Sequence, residues 1–158
     1  EMRDSISFTA AMSAADTGHL VLSTLHTTNA AQSVNRILDF FKADEREQIR
    51  RQLAGTLQAV ICQRMVNTLA GGMTPALEIM INTPTVKKLI EENRLDKLPA
   101  AIETGIDDGM LNFNQALFNL VKAGKVSEQE ALNKATNPQA LEMNFKGIFL
   151  DEGRRILQ

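Results

Sequence analysis

The sequence predicts an α/β portion up to about Ile81 followed by a small all-helical bundle. Three observations predict it. A short apolar run at 19–25 is bounded by Gly18 and by Thr27-Thr28-Asn29, the pattern of a strand covered on both faces in a parallel sheet. Helical periodicity flanks that run on both sides, giving helix–strand–helix. From Thr83-Pro84 onward every periodic segment reads as helix, with the threonine as cap and the proline at the first helical position. The chain therefore divides into residues 1–81 and 82–158.

In order, residues 5–16 read as a helix with Ile6, Ala10 and Ala14 on one face and Gly18 as its stop. Asn29 with Gln32 forms a capping-box start for a helix carrying Val34, Ile37, Leu38 and Phe41. Asp44 with Glu47 opens another, whose stripe is Ile49, Leu53, Leu57, Val60 and Ile61; Cys62 lies on its apolar face and Gln63-Arg64 follows it. Segments 65–69 and 76–81 flank Gly71-Gly72 as a β-hairpin, which places Pro75 on an edge or at a first strand position. Helices are predicted at 84–92, 96–104, 113–122 and 128–135, with Ser127 and Glu130 as a capping box and Gly105 and Gly124 as C-terminal caps. Residues 137–158 carry no decisive pattern.

The 158 residues are 44% hydrophobic and 23% charged, enough for a globular core. A net charge of −2 argues against an electrostatic nucleic-acid binder. The basic doublets Arg50-Arg51, Lys87-Lys88 and Arg154-Arg155 read first as solvated helix faces. Cys62 is the only cysteine, so neither an internal disulfide nor a cysteine-cluster zinc site can form. No apolar run approaches the roughly 20 residues of a membrane span, and no secretory signal is present, so the expected compartment is cytoplasmic. The chain opens Glu1-Met2-Arg3-Asp4, without an initiator methionine, and reads as part of something longer.

Few side chains carry chemistry on their own. In Glu1-Met2-Arg3-Asp4 the acidic residues are of the type that positions Mg²⁺ or orients a water in phosphoryl transfer, although such a tetrapeptide also suits a helix-leading turn. His19 and His26 are seven apart, so on one strand they face opposite sides and do not share a metal. His26 falls at the strand's C-terminal end, where ligand sites collect in open α/β sheets and where an imidazole can donate to a phosphate oxygen. Thr24, Thr27 and Thr28 add hydroxyls there, Thr28 and Asn29 being largely explained by capping. Arg64 can reach a nucleotide or a neighbouring subunit, or make an ordinary surface ion pair. The sequence contains neither G-x-x-x-x-G-K-[ST] nor G-x-G-x-x-G.

In sequence order these signals gain force. Glu1-Met2-Arg3-Asp4 followed by Ala15-Asp16-Thr17-Gly18-His19-Leu20-Val21-Leu22-Ser23-Thr24-Leu25-His26-Thr27-Thr28-Asn29-Ala30-Ala31 resembles the Walker B region and histidine box of secretion-superfamily ATPases. Gln63-Arg64-Met65-Val66, Glu78-Ile79-Met80-Ile81-Asn82-Thr83-Pro84 and Met110-Leu111-Asn112-Phe113-Asn114-Gln115-Ala116-Leu117 extend the match through about Ala135. Within that superfamily the chain is most similar to the type IV pilus retraction ATPases. The assembly and type II secretion branch carries a four-cysteine zinc site after the Gln-Arg-Leu segment, whereas Gln63-Arg64-Met65-Val66 here runs into Gly71-Gly72. Thr85-Val86-Lys87-Lys88-Leu89 stands where retraction enzymes have Ala-Ile-Arg-Asn-Leu. A principal motor, an accessory paralogue and a divergent relative all remain open.

The resemblance implies the C-terminal part of a RecA-like P-loop NTPase core, from a cytoplasmic homohexamer at the inner membrane that binds ATP and Mg²⁺ between neighbouring subunits. It places Glu1 at the water-orienting Walker B glutamate and His26 at the γ-phosphate-sensing histidine; His19 takes a more structural part. Asp4, Thr24 and Arg64 become supporting residues, and no metal is expected to be ligated directly. The phosphate-binding loop belongs upstream in that family, so the 158 residues alone are expected to be inactive, with exposed sheet edges that favour self-association. A second reading makes Val86, Lys87, Lys88 and Leu89 the contact for the inner-membrane pilus platform protein. A third places the chain in the assembly or type II secretion branch.

Overall fold

The computed structural model describes residues 1–149. Its first helix, α1 (Ser5–Asp16), starts where Asp4 accepts hydrogen bonds from the Ser7 amide at 2.7 Å and the Ser7 hydroxyl at 2.9 Å. Its end is closed by Thr17 and by Gly18, whose φ of 87° is left-handed. The buried face is not the expected one. Phe8 and Met12 point inward and Ile6 is exposed, because the larger Phe8 ring, stacked on Phe40 at 5.3 Å, decides the rotation.

Residues 19–27 form neither strand nor helix, which corrects the expected buried strand. Leu20 and Leu22 are 82% and 86% exposed. A strand exists only where a neighbour completes its ladder, and the one sheet among the described residues does not pair with this segment.

Helix α2 (Ala30–Asp39) is capped by Asn29, which accepts from the Gln32 amide at 2.8 Å. The reciprocal half of the capping box is absent, since the Gln32 side chain accepts from the Thr28 hydroxyl instead. Val34, Ile37, Leu38 and Phe41 are buried as the periodicity requires. Helix α3 (Arg46–Thr56) ends before the expected stripe does. Leu57 turns extended, and Ala59–Asn67 forms strand β1, so Cys62 and Gln63-Arg64 lie on a strand and not on or after a helix. Val60 and Ile61 fit both periods, and β-branching together with a nine-residue partner resolves the ambiguity toward β.

That partner is β2 (Met73–Ile81), antiparallel to β1 with Cys62 opposite Glu78 and Arg64 opposite Ala76. Gly71 and Gly72 turn the hairpin, both left-handed, and Thr68 closes the loop onto Gly72. Pro75 sits within β2, on a two-stranded sheet where its far side is an edge. Even-numbered residues of both strands face the helices; Ile61, Met65 and Met73 look outward and are exposed.

Thr83 caps α4 (Pro84–Glu91), and Lys97 precedes α5 (Leu98–Thr104) after a 3₁₀ turn at Leu95–Lys97. Then come α6 (Phe113–Lys122), α7 (Glu128–Lys134) and α8 (Pro138–Phe145). Asn112 and Gln115 make a full capping box at α6. At α7 Ser127 caps the Glu130 amide, but the Glu130 carboxylate accepts from the Asn67 amide at 2.9 Å and so ties β1 to α7. Asn137 and Pro138 start α8, which had no expected element. The Arg154-Arg155 doublet lies outside the described residues. Buried side chains from Phe8 to Leu141 form a single hydrophobic cluster that continues across Ile81.

Gly105 caps α5 with φ −88°, so left-handed backbone is not its reason. A Cβ there would lie 2.2 Å from Met110 Cε and 3.0 Å from the Ala101 carbonyl oxygen. Gly105→Ala is expected to destabilise the full-length protein by about 1–3 kcal/mol through overpacking, read by urea denaturation.

Candidate functional site

The His26 end of the 19–27 segment approaches the first residues of the chain. His26 Nε2 stands 3.0 Å from Glu1 Oε1, and Arg3 Nη2 stands 2.6 Å from Glu1 Oε2. The Arg3 hydrogen bond, with weaker help from the His26 charge, holds the Glu1 carboxyl below its ordinary range. An ionised carboxylate only accepts, so Nε2–H is the donor. Glu1 is 28% exposed and His26 89%, which leaves the imidazole open to an incoming group. Beside it, Thr27, Thr28, Gln32, Asn35, Arg36 and Asp39 line an open hollow of about 290 Å³.

The other expected site residues lie elsewhere. Asp4 is engaged in capping α1, and its carboxyl is held low by the Ser7 hydrogen bonds. His19 packs at the C-terminus of α1, with Nδ1 3.1 Å from the Thr17 hydroxyl and 3.3 Å from the Ala14 carbonyl. Thr24 is exposed on the 19–27 segment. Arg64 points toward the C-terminal helices: its guanidinium lies 4.0 Å over the Phe113 ring and donates to the Lys134 carbonyl. Of the four α4 residues expected to meet a partner, Val86 and Leu89 are buried in the core, whereas Lys87 and Lys88 are exposed.

One group behind the site had no assigned role. Glu78 is buried in β2, and its carboxylate accepts from the Ala30 amide, the first of α2, at 2.8 Å. Ser33 lies between them and the loop: its hydroxyl is 2.6 Å from Thr27 Oγ1 and 3.8 Å from the Cys62 sulfur. Burial pushes the Glu78 carboxyl up, offset in part by the Ala30 amide and the Arg64 charge; burial likewise raises the Cys62 thiol. A carboxyl raised in the fold binds its proton more tightly there than in the unfolded chain. Its contribution to stability therefore falls as pH rises from the ordinary carboxylate range through the raised value, and the whole cost is present above it. The legible signal was an acidic residue in the inward phase of β2, between Ala76 and Met80.

Among the described residues no three His, Cys, Asp or Glu side chains are grouped to hold a metal ion. The donor set of imidazole, hydroxyls and one carboxylate fits the outer side of a phosphate site. It does not form a metal cage.

Residues 1–92 match the model of the type II/IV secretion system proteins, more than half of the chain. The chain belongs to that family. It is 42% identical over 139 residues to the type IV pilus retraction ATPase PilT of Pseudomonas aeruginosa, covering 88% of this chain and 40% of that protein. It is 41% identical over 142 residues to the twitching motility protein of Neisseria gonorrhoeae, covering 89% of this chain and 38% of the relative. A crystal structure of the pilus retraction motor PilT with bound ADP superposes with a TM-score of 0.79 at 35% identity, covering 90% of this chain and 40% of the other. The α/β, RecA-like fold of a secretion ATPase and the likeness to retraction ATPases thus stand on sequence and structure together. The chain spans about 40% of the length of these relatives. No helix among the described residues is long and apolar enough to cross a membrane.

Proposed function

We propose that the full-length protein is a homohexameric motor ATPase that hydrolyses ATP to drive type IV pilus retraction at the cytoplasmic face of the inner membrane. The observation that carries this reading is the 3.0 Å contact between Glu1 and an open His26, on a chain akin to PilT. Phosphoryl transfer to water needs a group that orients the water and donors that meet the γ-phosphate oxygens. Glu1 is the water-orienting carboxylate. His26 Nε2–H turns from Glu1 to a γ-phosphate oxygen when nucleotide arrives, which frees the carboxylate for the water. The Thr27 and Thr28 hydroxyls line the approach, and Thr24 and His19 support the segment. Mg²⁺, where bound with ATP, would supply neutralisation of phosphate charge, and Glu1 is the carboxylate here that would face it.

The sequence contains no G-x-x-x-x-G-K-[ST], the motif whose backbone amides and lysine hold β- and γ-phosphates. The full-length protein is therefore expected to hydrolyse ATP and the 158-residue segment to show no turnover, in a phosphate-release assay run on both. Turnover by the segment would refute the division of labour; absence of turnover by the full-length protein would refute the function. The single cysteine argues against the zinc-bearing assembly branch. The solvent-facing Lys87 and Lys88 on α4 support a second, compatible role: contact with the inner-membrane platform protein.

A further inference from the structure

Glu78 has no part in the reaction as described, yet among the described residues it and Ser33 are the two buried polar side chains. Both meet at the same place. The first amide of α2 lies in the interior, where it must find an acceptor, and Asn29 is occupied with the Gln32 amide. Glu78 supplies that acceptor from 48 residues away in sequence. Ser33 extends the attachment to the loop, bonding Thr27 on one side and approaching Cys62, the cross-strand neighbour of Glu78, on the other. Thr27 is covalently next to His26.

We propose that Glu78 is a positioning residue for His26, fixing the 26–29 loop to the hairpin through the Ala30 amide and the Ser33–Thr27 bond. This rests on the assignment of His26 to the γ-phosphate. Glu78 is buried and His26 open, so the carboxylate acts through the loop and not on nucleotide. Burying a carboxylate lowers stability, and the Arg64 charge offsets it only in part. A stability cost retained behind a reactive loop is the pattern of a group kept for placement.

Two variants of the full-length protein separate this from a plain core role. Glu78→Met keeps length and bulk but removes the acceptor, whereas Glu78→Gln keeps an oxygen for the Ala30 amide. Glu78→Met is expected to lower kcat about tenfold with KM within about twofold, and Glu78→Gln to stay within about threefold of wild type. The thermal midpoint should stay near wild type for Glu78→Gln and fall for Glu78→Met by no more than the cost of one unsatisfied buried amide, so that Glu78→Met remains folded at the assay temperature while amides at 27–33 exchange faster in it. On a His26→Ala background, Glu78→Met should cause no further loss of the residual turnover. Full additivity on that background overturns the proposal, as does a loss of activity that tracks loss of folded protein. Wild-type turnover in His26→Ala alone would instead overturn the assignment of His26, and the proposal with it.

Discussion

Replacing His26 by alanine in the full-length protein is expected to lower ATP turnover about a hundredfold, the scale of losing one positioned donor to developing phosphate charge. The side chain is 89% exposed and touches Glu1 rather than the core. Its removal therefore takes away chemistry and little else, and the thermal midpoint should shift by no more than a surface change does, within about 0.5 kcal/mol. The Glu1 carboxylate keeps its Arg3 partner at 2.6 Å, so it remains ionised and the variant isolates the imidazole. Because both residues serve one water and one phosphate, Glu1→Gln and His26→Ala should not add: the double variant should be little slower than the worse single one. Steady-state turnover and the melting curve of the four proteins check this. Near-normal turnover in His26→Ala removes the imidazole from the mechanism.

What the sequence disclosed of this arrangement follows the range of each interaction. Caps are local, and Gly18, Asn29, Thr83 and Ser127 all mark true element ends. The helical face of α1 is not local; Ile6, Ala10 and Ala14 were a possible stripe until Phe8 found Phe40. The boundary at Leu57 was ambiguous because Val60 and Ile61 satisfy a helix stripe and a strand equally, and the deciding partner, β2, lies beyond a turn. The apolar run at 19–25 has strand composition, but composition does not provide a neighbouring ladder. At the site, Glu1 and His26 were legible as residue types in a motif, and their contact was not. Arg64 was readable as a cation and unreadable as a tie to Lys134, 70 residues away. Glu78 announced itself only as a charge out of phase, whose meaning depends on which helix its strand faces.

Phe113→Ala is expected to destabilise the protein by about 3–5 kcal/mol, the cost of emptying a large aromatic site in a core that relaxes only partly. Phe113 is 1% exposed at the first turn of α6, and its ring carries the Arg64 guanidinium at 4.0 Å. That guanidinium also donates to the Lys134 carbonyl at the end of α7, so one ring supports the cation that joins β1 to two C-terminal helices. Against a typical total of about 5–15 kcal/mol, the loss is large enough to populate unfolded protein at physiological temperature. Urea denaturation of the full-length protein should show the midpoint falling with an unchanged slope if the hairpin and the helices unfold together. A separate early transition would show instead that α6–α8 leave the hairpin first. A loss under about 1 kcal/mol would mean that neighbouring side chains collapse into the vacated space, and the ring would then not be what couples the helices to β1.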